Sequence, residues 1–361
     1  MKIVIDAREL RSTTGRYQER LLFYLQQLDH DNDYVILLKP NDFDGWQPSN
    51  PRFSKIECPH KEFTFGEQLG LLWQIHGLKP DLVHFGMVQQ PLLCRRPTVT
   101  TMHDLTTTRF RNTSKNWLVF TIKQIVYRFV NFYVPHKSRH IIVPSQFVKD
   151  DVVHYAHVSP DKITVTYEAA DKITENAEPL SQLINEQFIM YVGRPQPHKN
   201  LERLIDAFSG LHTAYPNLKL VLVGKTDVLY ERLKAHVKNT GCQNVIFTGF
   251  VSDGQLRWLY EHCALYVFPS LSEGFGLPGL EAMAAGVPVV SSKATCLPEI
   301  YGLAARYFDP YDTSDITRSM QEVLSNQQLQ QKLIAAGKQR VAEFSWQKMA
   351  KQTLDIYNSS K

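Results

Sequence analysis

The sequence alternates short, almost continuously apolar segments with helical patterns, and it does so in both halves of the chain. The segment "KIVID" (2–6), for example, precedes a helical pattern over 16–28 in which leucines recur on one face. Strands that are apolar throughout and are separated by helices are typical of parallel sheets buried on both faces. The pattern therefore predicts an α/β protein with two doubly wound domains. The predicted strands are 2–6, 34–39, 82–86, 98–104 and 140–145 in the first half, and 188–193, 219–224, 244–249, 265–270, 287–292 and 305–310 in the second.

The length of the chain supports the same division. At 361 residues it is longer than one hydrophobic core usually sustains, so two domains are expected. The polar stretch 171–186 is the predicted linker between an N-terminal domain (1–170) and a C-terminal domain (187–345). Three helices are predicted at the end of the chain, over 312–325, 327–343 and 346–358.

Composition narrows the class of protein. The five cysteines are scattered and form no CxxC pair, which favours reduced thiols in a cytosolic protein over disulfides or a zinc site. No run of about 18 apolar residues occurs, so a membrane span is not expected. The apolar run in "MKIVIDAREL" is too short for a signal peptide. We therefore expect a cytoplasmic protein without a metal site.

Two cations follow the first predicted strand of the second half. In "GRPQPHKN" (193–200), Arg194 and Lys199 flank a loop that two prolines stiffen, and a helix begins directly after it. Ligands of open parallel sheets bind outside the carboxyl ends of the strands, and helix N-termini attract anions. The loop therefore predicts a site for a diphosphate. A surface turn with two solvated cations is the alternative.

The first half has two features at comparable positions. "STTGRY" (12–17) connects the first strand to the first helix, where Gly15 is a candidate for a phosphate contact or an ordinary helix cap. The absence of a GxGxxG pattern from this turn argues against a dinucleotide site. His103 lies at the carboxyl end of a predicted strand, and a purely structural histidine is the alternative there.

The stretch "PSLSEGFGLPGLEAMAAGVPVV" (269–290) contains two glutamates eight positions apart. Glu273 lies in a loop whose glycines let the backbone approach a ligand closely, so its carboxylate can bind sugar hydroxyls. Glu281 is predicted in the first turn of the next helix, where it can accept the paired hydroxyls of a ribose. The alternative is that Glu281 only complements the helix dipole, which explains one glutamate but not the glycines.

This stretch carries a resemblance to a known family. Glu273-x7-Glu281, followed by "LPEI" (297–300) and "FDP" (308–310), resembles the signature of the retaining glycosyltransferases of family 4. Their fold, GT-B, consists of two Rossmann-like domains that face a central cleft. The family also implies that the last helix, 346–358, crosses back to the first domain.

Three further loops extend the resemblance over nearly the whole chain. "VGRPQPHKN" (192–200) is similar to the family's donor-phosphate loop and "TGFVSDGQLRWLY" (248–260) to its base-side loop. "MHD" (102–104) is similar to its acceptor-domain histidine motif. The first loop departs from the family pattern, because only Gly15 remains of the usual Gly-x-Gly.

The resemblance implies transfer of a sugar from a nucleotide-diphosphate donor with retention of the anomeric configuration. Arg194 and Lys199 would neutralise the leaving diphosphate without a metal ion, aided by the backbone at Gly15. Glu281 would hold the ribose. The residues implied in catalysis are His103, Arg194, Lys199 and Glu273, and those implied in donor binding are Gly15, Arg194, Lys199, Phe250, Val251, Glu273, Gly274, Phe275, Gly276, Leu277 and Glu281.

The donor and the activity leave alternatives open. The opening "MKIVIDARELRSTTGRY" (1–17) looks most like the mannosyltransferase branch of the family, which favours GDP-mannose as donor and a glycan or a lipid-linked molecule as acceptor. UDP-glucose or a UDP-N-acetylhexosamine is the second candidate. An epimerase or phosphorylase on the same architecture, or a non-catalytic subunit that binds nucleotide sugars, is a third.

The segment 105–149 contains no Asp or Glu and eight Lys or Arg residues, interspersed with aromatic residues. Leu118, Ile122, Ile125, Phe129 and Phe132 form a helical stripe within it. One interpretation is a core helix with a solvated polar edge. The other is a basic, aromatic surface that rests on anionic lipid at the cytoplasmic face of a membrane. Nucleic acid is not expected as a partner, because no recognition motif accompanies the charge.

Overall fold

The computed structural model describes residues 1–11, 15–110 and 117–360, and over these residues the chain forms two units, each built on its own parallel sheet. The first unit contains Met1–Thr108, Thr121–Glu168 and Ser345–Lys361. The second contains Ala169–Phe344 and the described residues of Arg109–Phe120. The predicted fold class, α/β with two doubly wound domains, is confirmed.

The first sheet has seven parallel strands among the described residues, in the order β3-β2-β1-β4-β5-β6-β7. Strand β1 pairs with β2 on one side and with β4 on the other, so the strand order reverses between β1 and β4. The strands are β1 (Lys2–Asp6), β2 (Asp33–Leu38), β3 (Phe53–Glu57), β4 (Leu82–Phe85), β5 (Thr98–Thr101), β6 (His140–Val143) and β7 (Ile163–Val165).

Strands β3 and β7 were not predicted from the sequence. Both are edge strands, β3 has only one fully buried residue, and β7 is three residues long. A short or half-exposed strand lacks the continuous apolar run that identified the other strands.

The helices of the first unit bury the faces of this sheet. On one side Leu71 and Ile75 belong to the same buried cluster as Val4, Leu37 and Val83 from the strands. The helices are α1 (Gly15–Leu28), α2 (Pro40–Phe43), α3 (Leu72–Leu78), which continues a π-helical turn (Gly66–Leu71), α4 (Thr106–Arg109), α5 (Trp117–Lys137) and α6 (Gln146–Ala156).

The second sheet has six parallel strands among the described residues, in the order β10-β9-β8-β11-β12-β13, so its order reverses between β8 and β11. The strands are β8 (Phe188–Val192), β9 (Lys219–Val223), β10 (Val245–Gly249), β11 (Leu265–Phe268), β12 (Val289–Ser292) and β13 (Ala305–Phe308). The helices are α7 (Leu201–Ser209), α8 (Val228–Thr240), α9 (Asp253–His262), α10 (Leu277–Ala284), α11 (Leu297–Tyr301), α12 (Thr313–Ser325) and α13 (Gln327–Ala342).

The last helix, α14 (Trp346–Ser359), belongs to the first unit although it follows the second unit in the chain. It packs against α1, with Tyr357 completely buried. The Tyr357 hydroxyl lies 2.5 Å from Nδ1 of the buried His84, and Asn32 Nδ2 donates to Asn358 Oδ1 at 3.4 Å. Polar contacts as well as apolar packing therefore hold α14 on this unit.

Helix α5 exposes the aromatic stripe that the sequence could have placed in a core. Ile125, Phe129 and Phe132 are 65%, 54% and 44% exposed, whereas Val130 and Val134 are buried. The interpretation of a core helix with a polar edge is therefore wrong for these three residues. The side chains of Leu118 and Ile122, and the residues 111–116 of the basic segment, lie outside the described part of the chain.

No helix in the described part of the chain combines the length and the apolar character needed to cross a bilayer.

Candidate active site

The loops that were predicted to bind a donor begin where the second sheet reverses its strand order. Arg194 and Lys199 follow β8, and Glu273 follows β11, the neighbour of β8. Ligands of open α/β sheets bind outside the carboxyl ends of the strands at such a reversal. The topology therefore brings three predicted side chains to the ligand-binding edge of this sheet.

Lys199 and Glu273 are in direct contact. Lys199 Nζ donates to Glu273 Oε1 at 2.6 Å, and the two side chains are 19% and 13% exposed. The loop around Glu273 is held as well: its backbone N–H donates to Thr295 Oγ1 at 3.1 Å, and the Cys296 thiol donates to its carbonyl at 3.3 Å. The fold itself thus keeps a cation beside a carboxylate at this edge.

Arg194 pairs with a residue that sequence reasoning missed. Its Nε and one terminal nitrogen each lie 2.9 Å from Asp227 Oδ2, and its side chain is half exposed. The other oxygen of Asp227 caps α8 by accepting from the backbone N–H groups of Leu229 and Tyr230. Burial opposes ionisation of Asp227, but the Arg194 guanidinium and these N–H groups outweigh it and lower the pKa of the carboxyl. The sequence feature that could have drawn attention to Asp227 is its position immediately before helix α8, shortly after β9.

The glycines of the Glu273 loop make room for a tyrosine. Gly276, at φ +95°, precedes α10, and a Cβ there would lie 2.6 Å from the Tyr301 hydroxyl. A Cβ on Gly279 would lie 2.3 Å from the same oxygen. The Tyr301 hydroxyl donates to the Gly276 carbonyl at 2.6 Å. These two glycines therefore leave room for the ring of Tyr301 to pack against the loop. From the sequence, the glycines had been interpreted only as letting the backbone approach a ligand.

The other predicted donor-binding residues of this loop differ in exposure. Phe275 is buried, with its ring centroid 5.5 Å from that of Phe344, and Gly274 is also buried. Leu277 is the half-buried first residue of α10. Phe275 thus anchors the loop rather than presenting its ring to solvent.

The predicted base-side residues follow β10. Phe250 is 84% exposed, whereas Val251 is buried. Of these two predicted residues, Phe250 therefore offers a large exposed surface to a ligand and Val251 does not.

Glu281 lies on α10, but not in its first turn as predicted. It is the fifth residue of an eight-residue helix, which also weakens the alternative that it complements the dipole at the helix N-terminus. Tyr260 donates its hydroxyl to Glu281 Oε2 at 3.3 Å. Glu281 lines a cavity of about 380 Å³ together with Tyr260, Arg257 and residues 171–174, part of the predicted linker. The carboxylate thus reaches a space large enough for part of a nucleotide.

His103 lies just after β5 in the first unit. Its Nδ1 atom lies 3.5 Å from Glu168 Oε1, and its Nε2 donates to the Gly86 carbonyl at 3.1 Å. Burial by itself would lower the pKa of His103, but the Glu168 carboxylate outweighs burial and raises it. Glu168 was missed because it follows β7, a strand that was not predicted.

Gly15 is the first residue of α1. A Cβ at this position would lie 2.0 Å from the Leu10 carbonyl oxygen. The glycine is therefore required by the chain's own packing, whatever its backbone also binds. The residues 12–14 of the predicted "STTGRY" turn lie outside the described residues.

The structure thus brings Lys199 together with Glu273, places Arg194 and Glu281 in the same unit, and places His103 and Gly15 in the other unit. Within the described ranges, no group of three or more His, Cys, Asp or Glu side chains is arranged to hold a metal ion.

Comparison with known proteins agrees with the fold and the motifs. The family model described as "Glycosyltransferase Family 4" matches residues 14–172, and the one described as "Glycosyl transferases group 1" matches residues 173–340. In structure, the chain is similar to sucrose-phosphate synthase from Thermosynechococcus elongatus, with a TM-score of 0.79, 18% identity, and coverage of 99% of this chain and 98% of that one.

Curated relatives include two mannosyltransferases of Escherichia coli. The chain is 34% identical over 221 residues to the serotype-specific mannosyltransferase WbdA, a match that covers 57% of this chain but only 27% of that relative's length. It is 29% identical over 295 residues to the O-antigen chain mannosyltransferase B, covering 67% of this chain and 76% of that one. With both halves matched in order and the two parallel sheets in place, the chain belongs to the glycosyltransferases of family 4, with the GT-B fold.

Proposed function

We propose that this chain transfers mannose from GDP-mannose to a glycan or a lipid-linked acceptor, with retention of the anomeric configuration and without a metal ion. The observation that carries the proposal is the Lys199–Glu273 pair at the reversal of the second sheet, with Arg194 on the same loop as Lys199. It combines cations for a diphosphate with a carboxylate for sugar hydroxyls at one edge.

In the proposed reaction the bond between the sugar C1 and the diphosphate oxygen breaks, and negative charge develops on the diphosphate. Lys199 and Arg194 stabilise that charge in the proposed reaction, and this stabilisation is larger in a partly buried site than in water. Glu273 orients the sugar through its hydroxyls. The acceptor oxygen forms the new bond to C1 on the same face, and its proton passes to an oxygen of the leaving diphosphate.

The choice of mannose is supported by the names of the relatives, which are mannosyltransferases, and by the opening of the sequence. Glu281 supports a nucleoside as the other part of the donor, because its carboxylate lines a cavity and can accept from two ribose hydroxyls. UDP-sugars are the alternative donors, and a comparison of the thermal shifts with GDP and with UDP distinguishes the two kinds of donor. A GT-B epimerase or a non-catalytic subunit would bind a nucleotide sugar without transferring the sugar to an acceptor.

The test is a thermal-shift panel with GDP, UDP, ADP and their sugar conjugates, followed by a transfer assay with the ligand that binds. A ligand that binds only the folded state stabilises it by about 2.7 kcal/mol at 100 times its Kd. We expect GDP and GDP-mannose to raise Tm. Glu281→Gln should weaken that shift, while Glu231→Gln, at an exposed position on α8, should leave it unchanged. A shift with UDP alone would overturn the donor, and no shift with any nucleotide at millimolar concentration would overturn the proposed function.

We also propose that the protein works in the cytoplasm, in peripheral contact with an anionic membrane. The exposed face of α5 combines the aromatic residues Phe129, Phe132 and Tyr133 with the exposed bases Lys123 and Arg128. An amphipathic helix of this composition binds at the interface of anionic lipid. Such a contact would bring the first unit close to a lipid-linked acceptor.

The apolar surface continues beyond α5 within the first unit. The ring of Phe63 lies 4.7 Å from that of Tyr127 on α5. Phe65 and Trp73, which follow Phe63 in the chain, are 88% and 76% exposed. These exposed rings add to the aromatic residues that α5 exposes on the first unit, which supports a membrane as the partner.

A further inference from the structure

The "STTGRY" turn (12–17) ends in a tyrosine that contacts the histidine of the first unit. Tyr17 is the third residue of α1 and is buried. Its ring meets the His103 ring edge to face, with the centroids 5.0 Å apart and the planes at 81°. This is a favoured geometry for a pair of aromatic rings. The turn that contains Gly15 therefore also supplies a side chain that packs against His103.

The contact with Tyr17 complements the polar contacts of His103. Those contacts act through the two ring nitrogens, one beside Glu168 and the other donating to the Gly86 carbonyl. A rotation of the imidazole about the line through its nitrogens would keep both of them. The Tyr17 ring opposes such a rotation, because it packs against the imidazole itself. Tyr17 therefore fixes a direction that the hydrogen-bond partners leave open.

The Tyr17 hydroxyl begins a chain of buried side chains that ends on α14. It lies 2.9 Å from Thr101 Oγ1 on β5, and the same Oγ1 atom lies 2.9 Å from His84 Nε2 on β4. The other ring nitrogen of His84 lies 2.5 Å from the Tyr357 hydroxyl on α14. All four side chains are buried. A continuous hydrogen-bonded chain thus connects α1, two strands and α14.

The hydrogen-bond directions along this chain depend on one another. Burial, and to a smaller extent the charge on His103, lower the pKa of His84 to about 3, so its ring is neutral, with one N–H and one acceptor nitrogen. Thr101 has one hydroxyl proton and can donate to only one of its two partners. Reversing one bond therefore requires reversing the next. Buried chains of this kind strengthen cooperatively, so the loss of one member weakens the others.

Helix α14 also contacts the Tyr17 hydroxyl through a second residue. Burial raises the pKa of Tyr17, and hydrogen bonds with Thr101 and Thr353 oppose the rise without cancelling it. Thr353 is completely buried and lies one turn before Tyr357 on α14. The hydroxyl therefore stays protonated, and α14 holds it both directly and through the chain.

We propose that Tyr17 is a positioning residue for His103, and that it transmits the position of α14 to the His103 ring. The Tyr17 ring holds the imidazole in place, and its hydroxyl fixes that ring to the buried chain. The inference rests on the proposed function, in which His103 is among the residues implied in catalysis. The alternative is a tyrosine that only fills the core, which would affect stability but not His103.

The test compares two substitutions at position 17 in the full-length protein. Tyr17→Phe keeps the ring and removes the hydroxyl, whereas Tyr17→Leu also removes the ring. Tyr24→Phe, at a half-buried position on the same helix, is the matched control. The first measurement is an NMR spectrum of the imidazole groups in protein with isotope-labelled histidine. The signals that disappear in His103→Gln identify His103.

We expect the His103 signals to shift in Tyr17→Phe, to shift further in Tyr17→Leu and to stay in place in Tyr24→Phe. Tyr357→Phe, at the far end of the chain, should shift them as well. Unchanged His103 signals in folded Tyr17→Leu would overturn the positioning role, and unchanged signals in Tyr357→Phe would overturn the link to α14. If the leucine variant does not fold, unchanged signals in Tyr17→Phe would contradict the proposal equally.

The second measurement is the release of GDP from GDP-mannose, with methyl α-D-mannopyranoside as the probe acceptor. We expect kcat to fall about tenfold in Tyr17→Phe and about 10²-fold in Tyr17→Leu, the cost of a slightly misplaced catalytic group. KM for GDP-mannose should stay within about twofold, because Lys199 and Glu273 lie in the other unit. A normal kcat in a variant whose His103 signals have shifted would overturn the role in the reaction.

The NMR measurement needs neither donor nor acceptor. An inactive wild-type protein would therefore contradict the proposed function, while the shifts of the His103 signals would still decide whether Tyr17 positions His103. The two proposals can thus fail independently.

Discussion

Lys199 Nζ and Glu273 Oε1 lie 2.6 Å apart although 74 residues separate them in the chain. They come from loops after the neighbouring strands β8 and β11, and both side chains are largely buried. A pair in such surroundings is costly to break by removing one partner, because the other charge is left with incomplete solvation. The pair is therefore expected to matter for both the shape and the charge of the donor site.

Replacing Lys199 with Ala should lower the rate of sugar transfer by about 10²–10³-fold, the usual cost of removing one group that stabilises transition-state charge. Steady-state kinetics with GDP-mannose measures this, and circular dichroism checks that the variant is folded. Lys238→Ala, an exposed lysine in the last turn of α8, is the matched control. Near-normal turnover in a folded Lys199→Ala protein would disprove the role.

Replacing Glu168 with Gln should lower the pKa of His103. In the wild type the carboxylate raises this pKa against the effect of burial, and without the carboxylate burial is expected to dominate. An NMR titration of the imidazole signals measures the change directly. A pKa that stays above about 6.5 in the variant would show that a group other than Glu168 stabilises the protonated form of His103.

The same pair gives stability a pH dependence with a defined sign. Because the folded-state pKa of His103 is raised, the pair stabilises the fold fully below the ordinary histidine pKa and loses this contribution as pH rises through the folded-state value. Urea unfolding across this range should show a slope in the wild type that Glu168→Gln reduces.

Replacing Tyr357 with Phe should destabilise the first unit by about 1–3 kcal/mol, since the Nδ1 atom of His84 would lose its partner in a dry environment. The other ring nitrogen of His84 is hydrogen-bonded to Thr101, and burial lowers the pKa of His84 to about 3, so protonation cannot compensate. Urea denaturation followed by circular dichroism measures the loss. Tyr311→Phe, at a 65% exposed ring, should have almost no effect. Equal stability of the two variants would mean that the short contact contributes nothing.

The α5 face should bind anionic vesicles at low salt and release them at high salt. Replacing Phe129 and Phe132 with Ser removes apolar contact, and Arg128→Glu removes an attraction of about 1 kcal/mol and adds a repulsion. Vesicle sedimentation with phosphatidylserine measures both changes. Phe23→Ser, at an exposed ring on α1, is the control. If the wild type fails to sediment at low salt, the membrane proposal is wrong.

The sequence was sufficient for the features that depend on local pattern. The buried strands β1, β8 and β11 have continuous apolar runs, and the loops after β8 and β11 contain the residues that form the Lys199–Glu273 pair. It was not sufficient where a partner comes from elsewhere in the fold. Neither Asp227 beside Arg194 nor Glu168 beside His103 has a local pattern that indicates a charge partner.

Exposure was equally hard to predict. Phe129 and Val130 are neighbours on α5, and only the packing of the whole unit determines that Val130 is buried and Phe129 is not. The role of Gly276 and Gly279 depends in the same way on Tyr301, which lies more than 20 residues further along the chain.

Because α14 completes the first unit, the main segment of the second unit, Ala169–Phe344, is in terms of connectivity an insertion into the first. A protein truncated before Trp346 would keep every donor-loop residue but would leave His84 without Tyr357 and uncover one side of α1. Neither unit of this chain is therefore an independent module that recombination could exchange at a single crossover. An exchange of the first unit between relatives must carry Met1–Thr108, Thr121–Glu168 and Ser345–Lys361 together, whereas Ala169–Phe344 can be exchanged as one continuous segment.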